Sequence, residues 1–177
     1  GLPGTNILLA LVIAALTFAP EVTAIPRYLV VQKLGLIDSY GALILPALAY
    51  SYGLFLMKQF MDNSVPFELI EAARVDGAGE FTIFRRVIVP LLRPIVVTLA
   101  VFSFLASWND FMWPLIVLSD QRRHTLPVAL ASLVGEHAPD IELMMAGAVV
   151  TVLPVLVLFL ALQRHYVAGL MAGSVKG

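Results

Sequence analysis

The sequence of residues 143–163 is LMMAGAVVTVLPVLVLFLALQ, a stretch without a charged side chain. A helix needs about 20 mostly apolar residues to cross the hydrocarbon core of a bilayer. This stretch is apolar on every side, whereas a surface helix of a soluble domain carries a polar stripe at a period of 3.6 residues. In lipid the backbone must satisfy its own hydrogen bonds, so the stretch predicts a transmembrane helix.

Three further apolar stretches satisfy the same length requirement, at about residues 5–24, 39–57 and 94–118. They predict an all-α membrane protein, a helical bundle with four transmembrane helices. Between these predicted helices, the sequence predicts one loop at about 58–93 and another at about 119–142. Several prolines lie in or beside the spans, where a missing backbone donor kinks a helix.

The composition supports a membrane protein and excludes several other classes. Of the 177 residues 60% are hydrophobic and 13% are charged, and the mean hydropathy is +0.92. Soluble domains carry about 25% charged residues, and disordered chains are far less apolar. No cysteine is present, which excludes disulfides and cysteine metal sites. A net charge of −1 argues against a nucleic-acid partner.

Positive charges predict the orientation, because Lys and Arg are enriched in cytoplasmic loops. The 58–93 loop and the C-terminal tail carry seven such residues, and the other two loops carry four. This bias predicts that the 58–93 loop and both ends of the chain are cytoplasmic. The first residue is Gly1 and no charged segment precedes the first apolar stretch, so the chain resembles the later part of a longer protein.

The 58–93 loop predicts two short helices joined at a glycine turn. Ser64 and Pro66 are start signals for the first helix, and Gly77 and Gly79 are its stop signals. The second helix is predicted to be amphipathic, with one apolar face formed at helical spacing by Phe81, Phe84, Ile88 and Leu91. Two interpretations remain open at this point: a protrusion that docks into a soluble partner, and a helix pair that lies flat on lipid.

Residues 71–90 resemble the EAA loop of binding-protein-dependent ABC transporter permeases, whose pattern is E-A-A-x3-G-x9-I-x-L-P. The match consists of Glu71-Ala72-Ala73, then Gly77 after three residues, then Val87-Ile88-Val89-Pro90 after nine more. Two valines replace the usual isoleucine and leucine. The resemblance extends to Ser107–Phe111 and to the C-terminal sequence GLMAGSVKG, which are similar to the second permease subunit of carbohydrate importers of the maltose and glycerol-phosphate type.

The resemblance implies a type I ABC importer fold and a coupling role for the EAA loop, which docks into a cleft of the ATPase subunit. Glu71 would meet a basic or amide group there, the alanines Ala72 and Ala73 would permit close approach, and Gly77 would permit the elbow. The family proline is matched by Pro90, while Arg74 and Asp76 occupy variable positions of the motif.

The same resemblance implies a single permease domain over residues 1–177, corresponding to the C-terminal two-thirds of a family member, in a bacterial inner membrane. The implied partners are a second permease subunit, an ABC ATPase dimer, an extracytoplasmic solute-binding protein, a sugar substrate and membrane lipid. The chain has no G-x-x-x-x-G-K-[ST] and no catalytic constellation, so it is expected to be a transport subunit and not an enzyme. It is expected to bind no cofactor, because ATP would bind to the ATPase.

Trp108, Asn109 and Asp110 interrupt the third apolar stretch. An ionisable residue at membrane depth suggests a functional site, and the residues would line the translocation path or hold a helix break. Alternatively they mark the outer interface, where aromatic residues are common. Two other hypotheses use the same carboxylate: an ion-coupled carrier with Asp110 as the ion or proton site, and an intramembrane enzyme that pairs Asp110 with a histidine. No histidine lies within a span, and no metal site is predicted.

Overall fold

The computed structural model describes residues 4–135 and 141–173, and every regular element in those ranges is helical. The all-α fold class predicted from the sequence is confirmed. The chain forms two compact units, the first ending at Phe104 and the second beginning at Leu105. In chain order the helices are α1 (Thr5–Leu16), α2 (Pro20–Lys33), α3 (Gly41–Leu48), α4 (Ser51–Ser64), α5 (Phe67–Val75), α6 (Glu80–Ile83), a π-helical segment (Phe84–Ile88), α7 (Val89–Leu91), α8 (Arg93–Trp108), α9 (Met112–Val117), a 3₁₀ turn (Gln121–Arg123), α10 (Leu126–Gly135) and α11 (Ile141–Gly173).

Two stretches are long and apolar enough to cross a membrane as they stand, Gly41–Ser64 and Ile141–Ala161. The first combines α3 and α4 and continues beyond residue 57, so that the first seven residues of the predicted 58–93 loop belong to α4. The second is the N-terminal part of α11, and α11 continues past the predicted end of the fourth span at residue 163. Two bent helix pairs supply up to two more spans.

The first predicted span, 5–24, is not one straight helix. Helix α1 ends at Leu16, helix α2 begins at Pro20, and the two are bent by 112°. Proline disfavours the α conformation of the residue before it, and Ala19 is accordingly extended with ψ 142°. Pro20 itself occupies the first turn of α2, where its missing N–H costs nothing. The proline therefore ends one helix and starts the next.

The third predicted span, 94–118, is interrupted as well. Helix α8 begins at Arg93 after a bend of 66° from the preceding helical segment and ends at Trp108. Three residues separate it from α9, which begins at Met112. The predicted loop at 119–142 is also not a plain connector, because it contains the apolar helix α10, whose Val128 is buried.

The exposure of apolar side chains fits a protein surrounded by lipid. No residue of the most apolar 18-residue window in Ile141–Ala161 is buried, although its mean hydropathy is 2.6. Phe159, for example, is 63% exposed. Water would penalise such a surface by roughly 25 cal/mol for each Å² of apolar area, and hydrocarbon does not.

Candidate functional site

Helix α5 contains the start of the EAA-like sequence, Glu71-Ala72-Ala73, in its C-terminal half. It begins after Pro66, which is extended with ψ 133°, and its first turn contains Glu68. Its last turn contains Arg74, so both charges complement the helix dipole. The predicted start at Pro66 is confirmed, but Ser64 is the last residue of α4 and not the cap of α5.

Gly77 ends α5 in a geometry that favours glycine. Its φ is +79°, in the left-handed region that side chains with a Cβ rarely adopt. Its N–H donates to the carbonyl of Arg74 at 3.0 Å, and the N–H of Ala78 donates to the carbonyl of Ala73 at 3.0 Å. This pair of hydrogen bonds is the Schellman motif, which satisfies the last carbonyls of a helix. The spacing of E-A-A-x3-G therefore places glycine at the position that the turn requires.

An ion pair joins the two helices across this turn. The Nε of Arg74 donates to Glu80 Oε1 at 2.8 Å, and a second guanidinium nitrogen lies 2.8 Å from the same oxygen. Arg74 belongs to the last turn of α5 and Glu80 is the first residue of α6. The side chains are 51% and 76% exposed, so water surrounds much of the pair. The two residues thus form a side-chain contact between α5 and α6 outside the glycine turn.

A π-helical segment follows α6 and leads to Pro90. Within it the N–H of Val89 donates to the carbonyl of Phe84, one residue further back than in an α-helix. Pro90 follows immediately and supplies no N–H, so the widened turn lies where an α-helical ladder would be interrupted in any case. The family proline thus coincides with a change of helical pitch.

The four apolar residues predicted to share one face of the second helix differ in exposure. Phe81 and Phe84 are 74% and 52% exposed, whereas Ile83 and Leu92 are the buried residues of this region. The π-helical turn contains an extra residue, which rotates the later side chains relative to an α-helical pattern. Ile88 and Leu91 are half-buried, and a constant period of 3.6 residues does not relate them to Phe81 and Phe84.

The outer surface of α5 is free of the rest of the chain in the part that the structure describes. None of its residues is buried, and Val75 is 87% exposed. The outer face follows helical spacing and combines two carboxylates with small or apolar side chains; it consists of Glu68, Glu71, Ala72 and Val75. Ala73 is half-buried on the opposite side. Of the two motif alanines, Ala72 is the one that a partner surface can approach closely.

Trp108 lies in the second compact unit at the end of α8. Its indole Nε1 donates to the backbone carbonyl of Thr151 in α11 at 3.0 Å. The Thr151 hydroxyl donates to the carbonyl of Gly147 at 2.8 Å. Pro154 supplies no backbone donor one turn further along α11, and neighbouring helices commonly satisfy carbonyls near such a proline. Trp108 therefore links α8 to a proline-containing part of α11.

Asn109 and Asp110 hold the interruption between α8 and α9. The side-chain nitrogen of Asn109 donates to the carbonyl of Leu105 at 2.8 Å and closes the last turn of α8. Asp110 Oδ1 accepts the N–H of Trp113 at 3.3 Å, in the first turn of α9. Of the roles considered for this pair, the helix break is the one that these contacts describe.

The 119–142 segment contributes no cluster of ligating side chains among the described residues. Asp120 accepts the N–H of Arg122 at 3.0 Å and caps the 3₁₀ turn. His124 follows this turn, while His137 lies outside the described residues, as does the side chain of His165. Within residues 4–135 and 141–173, no three His, Asp or Glu side chains come together as a metal site.

Comparison with known proteins identifies the family. The sequence model described as "Binding-protein-dependent transport system inner membrane component" matches residues 2–171. The chain belongs to this family. The resemblance carried by the EAA-like residues is confirmed, and the chain is an inner-membrane component by family.

Family members that resemble the chain include permeases named for sugars. The arabinooligosaccharides transport system permease protein AraQ of Halalkalibacterium halodurans is 37% identical over 98% of this chain and 62% of its own length. The melibiose/raffinose/stachyose import permease protein MelC of Bacillus subtilis is 39% identical over 95% of this chain and 62% of its own length. The chain thus spans about 62% of the length of these curated relatives.

A solved structure of the same fold comes from a bacterial ABC transporter involved in the import of the acidic polysaccharide alginate. Its matching chain superimposes with a TM-score of 0.78 and covers 93% of this chain and 63% of its own length. At 21% sequence identity the likeness extends to the fold. The all-helical importer-permease architecture expected from the sequence is thereby confirmed.

Two residues of the site could not be predicted from the sequence. Glu80 carries no motif signal, because a separation of six residues from Arg74 corresponds to no helical pairing and the contact depends on the turn at Gly77. Thr151 carries no signal either, because Trp108 contacts its backbone carbonyl and not its side chain. By contrast, α10 has a signal: the sequence LPVALASLVG at 126–135 is apolar except for Ser132.

Proposed function

We propose that the chain is the membrane-spanning permease subunit of an ATP-driven ABC importer for sugars or related polyols. A separate ATPase dimer binds and hydrolyses ATP, and this subunit contributes no catalytic group. A second permease subunit completes the pathway, and an extracytoplasmic binding protein delivers the solute. The two permease subunits alternate between outward-open and inward-open states, each of which must bind the ligands differently.

The observation that carries this proposal is the exposed helix α5, which bears the family motif and ends in the glycine turn. Its outer face offers two carboxylates beside Ala72, a small residue that permits close contact. A cleft lined by basic or amide groups matches this surface in charge and shape. The names of AraQ and MelC favour sugars as the solute class.

We further propose that the protein spans a bacterial-type cytoplasmic membrane with α5 on the cytoplasmic side. Seven Lys and Arg residues lie in the 58–93 loop and the tail, against four in the other loops. In this orientation α5 faces the compartment that contains ATP. We also propose that Trp108, Asn109 and Asp110 shape the translocation pathway, because they hold the break between α8 and α9.

Co-purification of the full-length membrane protein in detergent tests the proposal. The expected result is a complex with a P-loop ATPase and a second permease, and ATP-dependent uptake of an oligosaccharide after reconstitution. A protein that purifies alone, and whose uptake does not respond to ATP, would contradict the proposal. That result would favour the ion-coupled hypothesis built on Asp110.

The variant Glu71→Lys tests the docking role of α5. Reversing a charge at a desolvated interface costs about 2 kcal/mol or more, so solute-stimulated ATP hydrolysis is expected to fall by roughly tenfold or more. The amount of protein in the membrane should stay unchanged, because Glu71 is exposed. Gln59→Lys is the control for an added lysine, since it places one at an exposed position of α4. Equal activity of both variants would argue against docking through Glu71.

A further inference from the structure

The elbow between α5 and α6 contains a link that the motif does not specify. Arg74 and Glu80 lie on opposite sides of Gly77, and two guanidinium nitrogens contact one carboxylate oxygen at 2.8 Å. The pair closes a loop over the turn that connects the helices. Neither residue occupies a position that the E-A-A-x3-G pattern specifies.

The backbone fixes only the first half of this elbow. The Schellman hydrogen bonds determine the conformation up to Ala78. The next residue, Gly79, is the N-cap of α6 and has no side chain that could form a capping hydrogen bond. No residue of α5 is buried, so packing between the helices adds little restraint. The angle between α5 and α6 therefore depends on the side-chain link.

We propose that Arg74 and Glu80 are positioning residues that lock this angle. This proposal rests on the proposed function, because it assumes that a partner ATPase moves α5. With the link intact, a displacement of α5 carries α6 and the π-helical segment along as one body. Without it, part of the displacement is absorbed at Gly79 and does not reach α8.

The exposure of the pair sets the size of the effect. At 51% and 76% exposure the link is solvent-screened, and such a pair shifts an equilibrium by roughly two- to fivefold. The expected consequence is a loss of efficiency and not a loss of assembly. The informative quantity is the number of solute molecules taken up per ATP hydrolysed, which a purely structural role would leave unchanged.

The experiment uses the complete complex, with the full-length protein, in proteoliposomes. Arg74→Gln and Glu80→Gln are each expected to lower uptake per ATP by roughly two- to fivefold. The double reversal Arg74→Glu with Glu80→Arg restores the ion pair and should return the ratio to within about twofold of the unmodified complex. Asp62→Asn is the matched control, because it removes an exposed ion pair with Lys58 that lies within α4 alone.

Two outcomes would overturn the proposal. Single variants with the ratio of the unmodified complex would show that the link does not restrain the elbow. A double reversal that is worse than either single variant would show that these side chains contact the partner and not each other. An unmodified complex without ATP-dependent uptake would instead contradict the proposed function. Failure of the elbow proposal and failure of the proposed function are therefore distinguishable.

Discussion

At the scale of single residues, the glycine turn makes a sharp prediction at Gly77. An added Cβ would meet no atom within 4 Å, so the cost of Gly77→Ala is purely conformational. Holding a residue with a Cβ at φ +79° costs roughly 1–2 kcal/mol. We expect this variant to redirect α6 and to lower uptake per ATP by roughly fivefold or more, with normal amounts of protein in the membrane.

Gly79→Ala is the matched control for this prediction. Its Cβ would also meet no atom within 4 Å, and its φ of −70° is accessible to any residue. Uptake and ATP hydrolysis are measured side by side for both variants in the reconstituted complex. If the two alanine variants behave alike, the left-handed conformation of Gly77 has no part in coupling.

At the scale of the helical elements, two variants of Asp110 distinguish a structural role of its carboxylate from a role in binding an ion or proton. Its carboxylate accepts the N–H of Trp113 and caps the first turn of α9. Asparagine can make the same hydrogen bond without a charge, whereas alanine cannot. We therefore expect Asp110→Ala to destabilise the protein by about 1 kcal/mol, and Asp110→Asn to retain both stability and transport.

Thermal unfolding in detergent and solute uptake together check this prediction. Unfolding detects the loss of the cap, and uptake detects a requirement for the charge. Transport that is abolished in Asp110→Asn while its melting temperature is unchanged would contradict the capping role. It would restore the carboxylate as an ion or proton site.

The elements also show where the sequence is informative and where it is not. Gly77 could be predicted because a left-handed turn demands one residue type, and the long apolar stretch at 143–163 could be predicted because lipid demands length. The π-helical segment at Phe84–Ile88 could not be predicted, since the pattern of apolar residues around it also fits a continuous α-helix. Pro20 predicts the break between α1 and α2, whereas no residue in the sequence predicts the angle of 112° between them.

The contact between Arg74 and Glu80 in the candidate site could not be predicted from the sequence either. The sequence contains both charges, but their distance is determined by the turn between them, and no local pairing rule covers that geometry. The motif therefore predicts a coupling role for α5. The structure adds an ion pair across the elbow that follows this helix.

At the scale of the whole molecule, the remaining prediction concerns the sides of the membrane. The chain contains no cysteine, so single cysteines can report accessibility without a background from these residues. Val75→Cys places a thiol at a position that is 87% exposed in the 58–93 loop. Gln121→Cys places one at an exposed position of the 119–142 segment.

The excess of Lys and Arg in the 58–93 loop predicts opposite labelling of these two thiols. In spheroplasts, a membrane-impermeant maleimide should label Gln121→Cys and leave Val75→Cys unlabelled. Solubilisation in denaturing detergent should expose both, which shows that each thiol is reactive. Labelling of Val75→Cys in intact spheroplasts would reverse the orientation and place α5 away from ATP. The coupling role of α5 requires the first result, because an ATPase can dock only on the side where ATP is available.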